Sequence, residues 1–175
     1  MAVTFEQVRS ALDPEEPAYN KAAANLGTEA LPHLAKIIAG DHAMLASKAA
    51  YLAGLIGTEQ SVEVLHRAAR SGDVRVRIAA AAAAAAGKLP PESVSDVLIN
   101  LIDDADVGVQ KLALKAVPVN SSPALRARIE SLSTTKTDTL VRSLSREVLG
   151  RMPASTSDQG TNEKSTGKKK GKPKK

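Results

Sequence analysis

Histidine, aspartate, serine and the basic side chains are what this chain offers for chemistry, because it holds no cysteine and no tryptophan. Without cysteine there is no thiolate metal site, disulfide or thiol nucleophile. His33, His42 and His66 are followed by Leu34, Ala43 and Arg67, so none belongs to a His-Glu or His-x-x-His pair. Their spacing supports neither metal ligation nor acid-base catalysis, and we read them as partly exposed positions on separate helices. Asp103, Asp104 and Asp106 cluster without the ligand spacing of a calcium loop and suit helix capping beside a solvated turn. Ser131 to Thr135 has no base at a motif spacing and reads as a linker. Phe5, Tyr19 and Tyr51 are too few for an aromatic stacking site. The expectation is a protein without catalysis, cofactor or metal.

Cations are the stronger candidates. Arg75, Arg77, Lys111, Lys115, Arg142 and Arg146 lie in the body of the chain, and Lys168, Lys169, Lys170, Lys172, Lys174 and Lys175 crowd its end. Residues 153–175 carry seven lysines against Asp158 and Glu163, whereas the preceding 152 residues hold 17 basic and 17 acidic side chains. The net charge of +5 is therefore all tail. That stretch has no apolar residue able to anchor a fold, which predicts a disordered appendage suited to non-specific contact with nucleic acid or an anionic surface, or simply to solubility.

The elements that must position the body cations are helices. Thirty alanines, with Leu, Val and Ile recurring at three- and four-residue steps, give helical periodicity, and no segment reads as a strand. Asp13-Pro14-Glu15, Asp41, Asp73, Pro91-Glu92, Asp106, Ser122-Pro123 and Asp138 read as start signals, and Gly27, Gly57, Gly87 and Gly150 as stops. Each segment is about three turns long, and the segments come in pairs.

The pairs repeat. Asp138-x-x-Val141-Arg142-x-x-Ser145-x-x-Val148-Leu149-Gly150 aligns with Asp106-x-x-Val109-Gln110-x-x-Ala113-x-x-Ala116-Val117-Pro118 and with Asp73-x-x-Val76-Arg77-x-x-Ala80-x-x-Ala83-Ala84-Ala85. Looser copies run from Leu45 to Gly54 and from Ala18 to Gly27. Equivalent positions 27, 54, 85, 118 and 150 are spaced by 27, 31, 33 and 32 residues. The first helix of each pair supplies an apolar stripe, such as Leu31, Leu34 and Ile38, and a pair that cannot bury this face alone must stack on its neighbours. Ala79 to Ala86 falls in register in the third copy, which predicts a thin, closely packed helix at the middle of the stack.

The Asp-x-x-Val-Arg-x-x-Ala pattern resembles the HEAT-repeat family, in particular the short bacterial HEAT-like repeats of the kind found in phycobilisome lyases. The resemblance covers about 149 residues. It implies an all-α fold: a right-handed α-solenoid of about five HEAT-like helix pairs over residues 4–152, followed by the disordered basic C-terminal tail at 153–175. It further implies that the second-helix layer forms a concave face. Arg77, Gln110 and Arg142 share one repeat position on that layer, with two readings. They line a polar groove for an acidic helix or peptide, or each pairs with the cap Asp of a neighbouring repeat as an internal ladder.

We therefore expect a protein-binding adaptor, scaffold or regulator with an acidic protein partner. The alternatives are a nucleic-acid-associated protein using the tail with a basic groove, and a lyase-like or chaperone subunit of an enzyme complex. No basic start followed by an apolar stretch opens the sequence and no apolar run is long enough to span a bilayer, so the expected location is cytoplasmic. Helices at 5–12 and 138–151 would have one neighbour each, and an apolar end there predicts dimers formed by stacking.

Overall fold

Alanine- and leucine-rich runs between side-chain caps fold into ten α-helices and one 3-10 turn among the described residues, 2–135 and 137–153 of this computed structural model. In chain order the helices are α1 (Phe5–Leu12), α2 (Tyr19–Leu26), α3 (Leu31–Ile38), α4 (Ala43–Ile56), α5 (Glu59–Ala69), α6 (Val74–Ala85), α7 (Pro91–Leu101), α8 (Val107–Ala116), α9 (Pro123–Thr135) and α10 (Thr139–Arg151). The 3-10 turn, Gly27–Ala30, joins α2 to α3. No strand occurs among the described residues.

Helix starts follow the caps in most places. Asp73, Asp106 and Asp138 accept backbone N–H bonds from the first turns of α6, α8 and α10. Thr4 and Gln7 form a reciprocal box at α1, and Ser122 Oγ accepts from Leu125 N–H at α9. Two expected signals are displaced. The cap of α4 is His42, whose Nδ1 accepts from Leu45 N–H at 3.2 Å, and Asp41 stays in the loop. Asp13-Pro14-Glu15 does not open a helix either, because α2 begins only at Tyr19, after the second proline of the loop, Pro17.

Odd-numbered helices form one layer and even-numbered helices the other, each helix packing on neighbours within its layer and across it. This is a two-layer α-solenoid. The first pair is the loosest: α1 rests on α3 and α4, while α2 rests on α4 and the 3-10 turn. A continuous core runs between the layers, with Leu34, Leu52, Leu65, Leu98, Leu114 and Ile129 fully enclosed. Burying a side chain of this size stabilises by about 1.5–3 kcal/mol.

The most extensive helix contact joins α4 to α6. Gly54 lies inside α4, where a Cβ would collide with the Ala83 side chain and come within 3.1 Å of the Ala83 carbonyl oxygen. The helix ends at Gly57, which takes the left-handed conformation (φ +70°). Gly150 likewise lies within α10, and the Ser-rich segment 131–135 is the last turn and a half of α9 rather than a linker. Those hydroxyls fold back on the helix: Ser133 Oγ donates to Glu130 O, and Thr134 and Thr135 Oγ1 donate to Ser131 O.

Overpacking this contact should therefore be costly. Gly54→Ala and Ala83→Leu are each expected to destabilise the chain by about 1–3 kcal/mol in urea unfolding, while Gly72→Ala, at an open position, leaves the midpoint near wild type.

Candidate functional site

Arg75 and Arg77 are two residues apart on the first turn of α6, a separation that points side chains to nearly opposite sides of a helix. Arg77 turns into the stack. Its Nε and Nη2 donate to Asp104 of the next pair at 2.6 and 3.0 Å, and its Nη1 donates to Ser71 O at 2.9 Å. Gln110, the equivalent residue on α8, donates from Nε2 to Asp104 O at 2.6 Å. Arg77 and Asp104 side chains retain only 18% and 6% of their exposure. The ladder reading thus holds at Arg77, with one correction: the acceptor is Asp104 and not the cap Asp106, whose carboxylate is already turned to Val109 N–H. Burial pushes the Asp104 carboxyl up, but bonds from Arg77 and from Asp106 N–H, with the Arg77 charge, outweigh it and hold it below 3.8.

Arg75 turns outward and grips its own cap, donating to Asp73 at 3.0 and 2.7 Å. The side-chain hydrogen bond from Arg75 is the main reason the Asp73 carboxyl sits at about 2. Beyond Arg75 lies a groove of about 470 Å³ between α4 and α6, with Met44, Tyr51 and Ile78 as its apolar lining, Lys48 and Arg75 as its cations, and Tyr19 and Glu15 at one end. The rings of Tyr19 and Tyr51 meet edge to face at 4.9 Å. Burial, then the neighbouring Tyr51, raise the Tyr19 hydroxyl above its ordinary range. Lys48 Nζ donates to Leu12 O at 3.1 Å and to Pro14 O at 2.6 Å, tying the C-terminus of α1 to this helix layer.

Repeat register carries the groove face onward. Lys111, Leu112 and Lys115 on α8 stand where α6 has Ile78, Ala79 and Ala82. Met44 is 53% exposed and Leu112 is 37% exposed, and Leu140, the equivalent of Met44 on α10, is 50% exposed. By repeat register, Leu112 with Lys111 and Lys115 on α8 therefore continues the face whose floor on α6 is Ala79 and Ala82.

Arg142 and Arg146 stand apart from that face. Arg142 holds the Arg77 position in the last pair, half-buried, with no acidic partner among the described residues. Arg146 holds the position at which Ala50, Ala81 and Leu114 are buried, yet it is exposed, because no further pair covers α10 among the described residues. The expected apolar C-terminal end is in fact basic. The tail lysines, from Lys168 to Lys175, lie outside the described residues.

Most of the remaining candidates have structural partners, while Nδ1 of His33 and of His66 is enclosed without a hydrogen bond among the described residues. His33 Nε2 donates to Val3 O at 2.9 Å with its ring edge-on to Phe5; His42 is a cap, and His66 is half-buried on α5. Asp103 pairs with Arg128. Among the described residues no three His, Asp or Glu side chains converge as a metal site. The apolar strip is what the sequence reading missed. Its signal was present as Met44, Ile78, Leu112 and Leu144 at outward repeat positions, where a solvated helix face would be polar.

The family model described as HEAT repeats matches residues 31–116. Residues 31–116 carry HEAT repeats. These cover α3 to α8, the part of the stack that contains the Arg77–Asp104 pair and most of the groove lining. Among solved structures, a chain from the complex of CpcE and CpcF of phycocyanin lyase from Nostoc sp. PCC7120 is similar at a TM-score of 0.62 and 17% identity, over 82% of this chain and 96% of that one. At that identity the similarity bears on fold. No curated protein matches the sequence. No helix among the described residues is long and apolar enough to cross a membrane.

Breaking the inter-repeat HEAT ladder should weaken the fold in a pH-dependent way. Asp104 has a depressed folded-state value, so its stabilisation is complete above pH 3.8 and fades as pH falls through the lower folded value. Asp104→Ala is expected to cost about 2–4 kcal/mol at neutral pH and to flatten the acid limb of stability, read from urea midpoints across pH.

Proposed function

We propose that this HEAT-repeat chain is an adaptor without catalysis of its own, and that the groove over α4, α6 and α8 takes an amphipathic acidic helix of a protein partner. The observation that carries this is the apolar groove lining of Met44, Tyr51 and Ile78, with Leu112, Lys111 and Lys115 of α8 following on the same repeat face, while Arg75 at the groove is already paired with Asp73. A partner helix would lay its apolar side on the strip and set carboxylates against the cations. Desolvating the strip supplies affinity, while the charges set orientation and on-rate. Arg77 lends no charge to this surface because Asp104 neutralises it inside the stack. Scarce aromatics on the strip favour moderate affinity over a few dominant anchors.

A second reading, a subunit completing an enzyme with another chain, draws support from the two-subunit lyase complex to which the fold is similar. An absorbing ligand that co-purifies with the protein would favour it.

The groove is testable with a fluorescein-labelled helical peptide bearing leucines on one side and glutamates on the other. Titration by anisotropy should saturate, with Met44→Glu and the pair Lys111→Glu/Lys115→Glu each weakening binding by about tenfold or more. Arg67→Glu, on the opposite layer, serves as control. Equal losses at Arg67 and at the groove would mean that the peptide senses only net charge, and the proposal would fall.

A further inference from the structure

We infer that the two ends of the stack are complementary and that this chain self-associates head to tail, continuing its own repeat ladder from one copy into the next. Inside the chain, the third pair is tied to the fourth by Arg77 on a second helix with Asp104 in the next inter-helix loop. Residues of the same kind stand at opposite ends: Arg142 at the last pair, and at the first pair an acidic loop in which the repeat alignment sets Asp13 at the place of Asp104, with Glu15 and Glu16 beside it. Arg142 is the Arg77 equivalent of the last pair and has no acidic partner among the described residues. The α1–α2 loop holds Glu15 three residues past the end of α1, as Asp104 lies three past α7, and Glu16 two residues before the cap of α2, as Asp104 lies two before Asp106. Glu15 and Glu16 are both exposed and have no basic partner among the described residues.

Charge agrees with this register. Residues 1–30 carry five acidic and two basic side chains, and residues 123–153 six basic and three acidic. The C-terminal end adds Arg146 at a position that inner pairs bury, and the N-terminal end presents a groove of about 260 Å³ between α1 and α2, lined by residues such as Ala11, Ala22 and Leu26. A basic last helix can instead be a plain solvating cap, since terminal repeats need a polar outer face. That alternative explains Arg146 but not the acidic loop at the opposite end in ladder register. The occupant is a second copy, and because the two surfaces differ, the contact is heterologous and propagates beyond a dimer unless it closes into a ring.

The full-length chain should show a weight-average mass that rises with concentration in sedimentation equilibrium, and the rise should shrink as salt screens the charges. Arg142→Glu, and separately Glu15→Lys/Glu16→Lys, are expected to weaken association by about tenfold or more, and mixing the two variants to recover it by pairing the reversed charges. Circular-dichroism melting checks that each variant folds, and Arg142→Gln replaces Arg142→Glu if the latter melts early. A chain that stays monomeric up to about millimolar concentration at low salt overturns the inference. So does association that ignores both charge reversals, or that stops at a closed dimer.

Discussion

The distance between α4 and α6 governs this molecule. Two helices with ordinary side chains pack 8–10 Å apart, and smaller residues at the contact allow a closer approach. Gly54 meeting Ala83 leaves no room at this contact even for a second methyl group. Everything outward of the contact inherits its geometry, because the groove lies between the outer faces of the same two helices. The alanine run of α6 thus serves packing on its inner side and leaves a shallow floor, Ala79 and Ala82, on its outer side. In a stack where each pair touches only its neighbours, such a contact at the middle couples the two halves more strongly than one at an end.

The polar chemistry is divided by the same helix. Arg75 and Arg77 have the same charge and nearly the same place in sequence, yet one faces solvent and the other is held by a partner 27 residues away. An ion pair with so little exposure adds less to stability than its bond lengths suggest, since desolvation opposes the attraction. Its larger effect is on register. Asp104 is fixed within its own pair by bonds from Asp106 N–H and, through its carbonyl, from Gln110, so a slip of one residue between the pairs would carry it out of reach of Arg77.

Much of the fold could be read from the chain. The repeat copies from Asp73 to Gly150 placed α6, α8 and α10, because an Asp cap followed by apolar residues at helical steps has few other outcomes. Reading became harder where local signals compete with tertiary contacts. Gly150 read as a stop because glycine disfavours helices, yet α10 continues through it to Arg151. Ser131 to Thr135 looked like a linker because hydroxyls favour loops, yet Leu132 and Ser133 are buried and hold the segment helical. For the candidate site, charge was legible and direction was not. Arg77 and Arg142 share a repeat position, but the partner of such an arginine comes from the following pair, so only the structure separates a neutralised residue from one at an end. The strip through Met44 and Leu112 was hidden for another reason: single exposed apolar residues are ordinary, and only their alignment across helices makes a surface.

Tyr19 and Tyr51 are the two tyrosines of a chain without tryptophan, and they meet at one end of the groove. Ultraviolet absorbance above the phenylalanine band, near-ultraviolet circular dichroism and intrinsic emission of the folded protein therefore arise at a single place. Here the native chromophores form a built-in reporter, so that occupancy of the groove is visible without a label, while unfolding of the distant pairs passes almost unseen until it reaches α4.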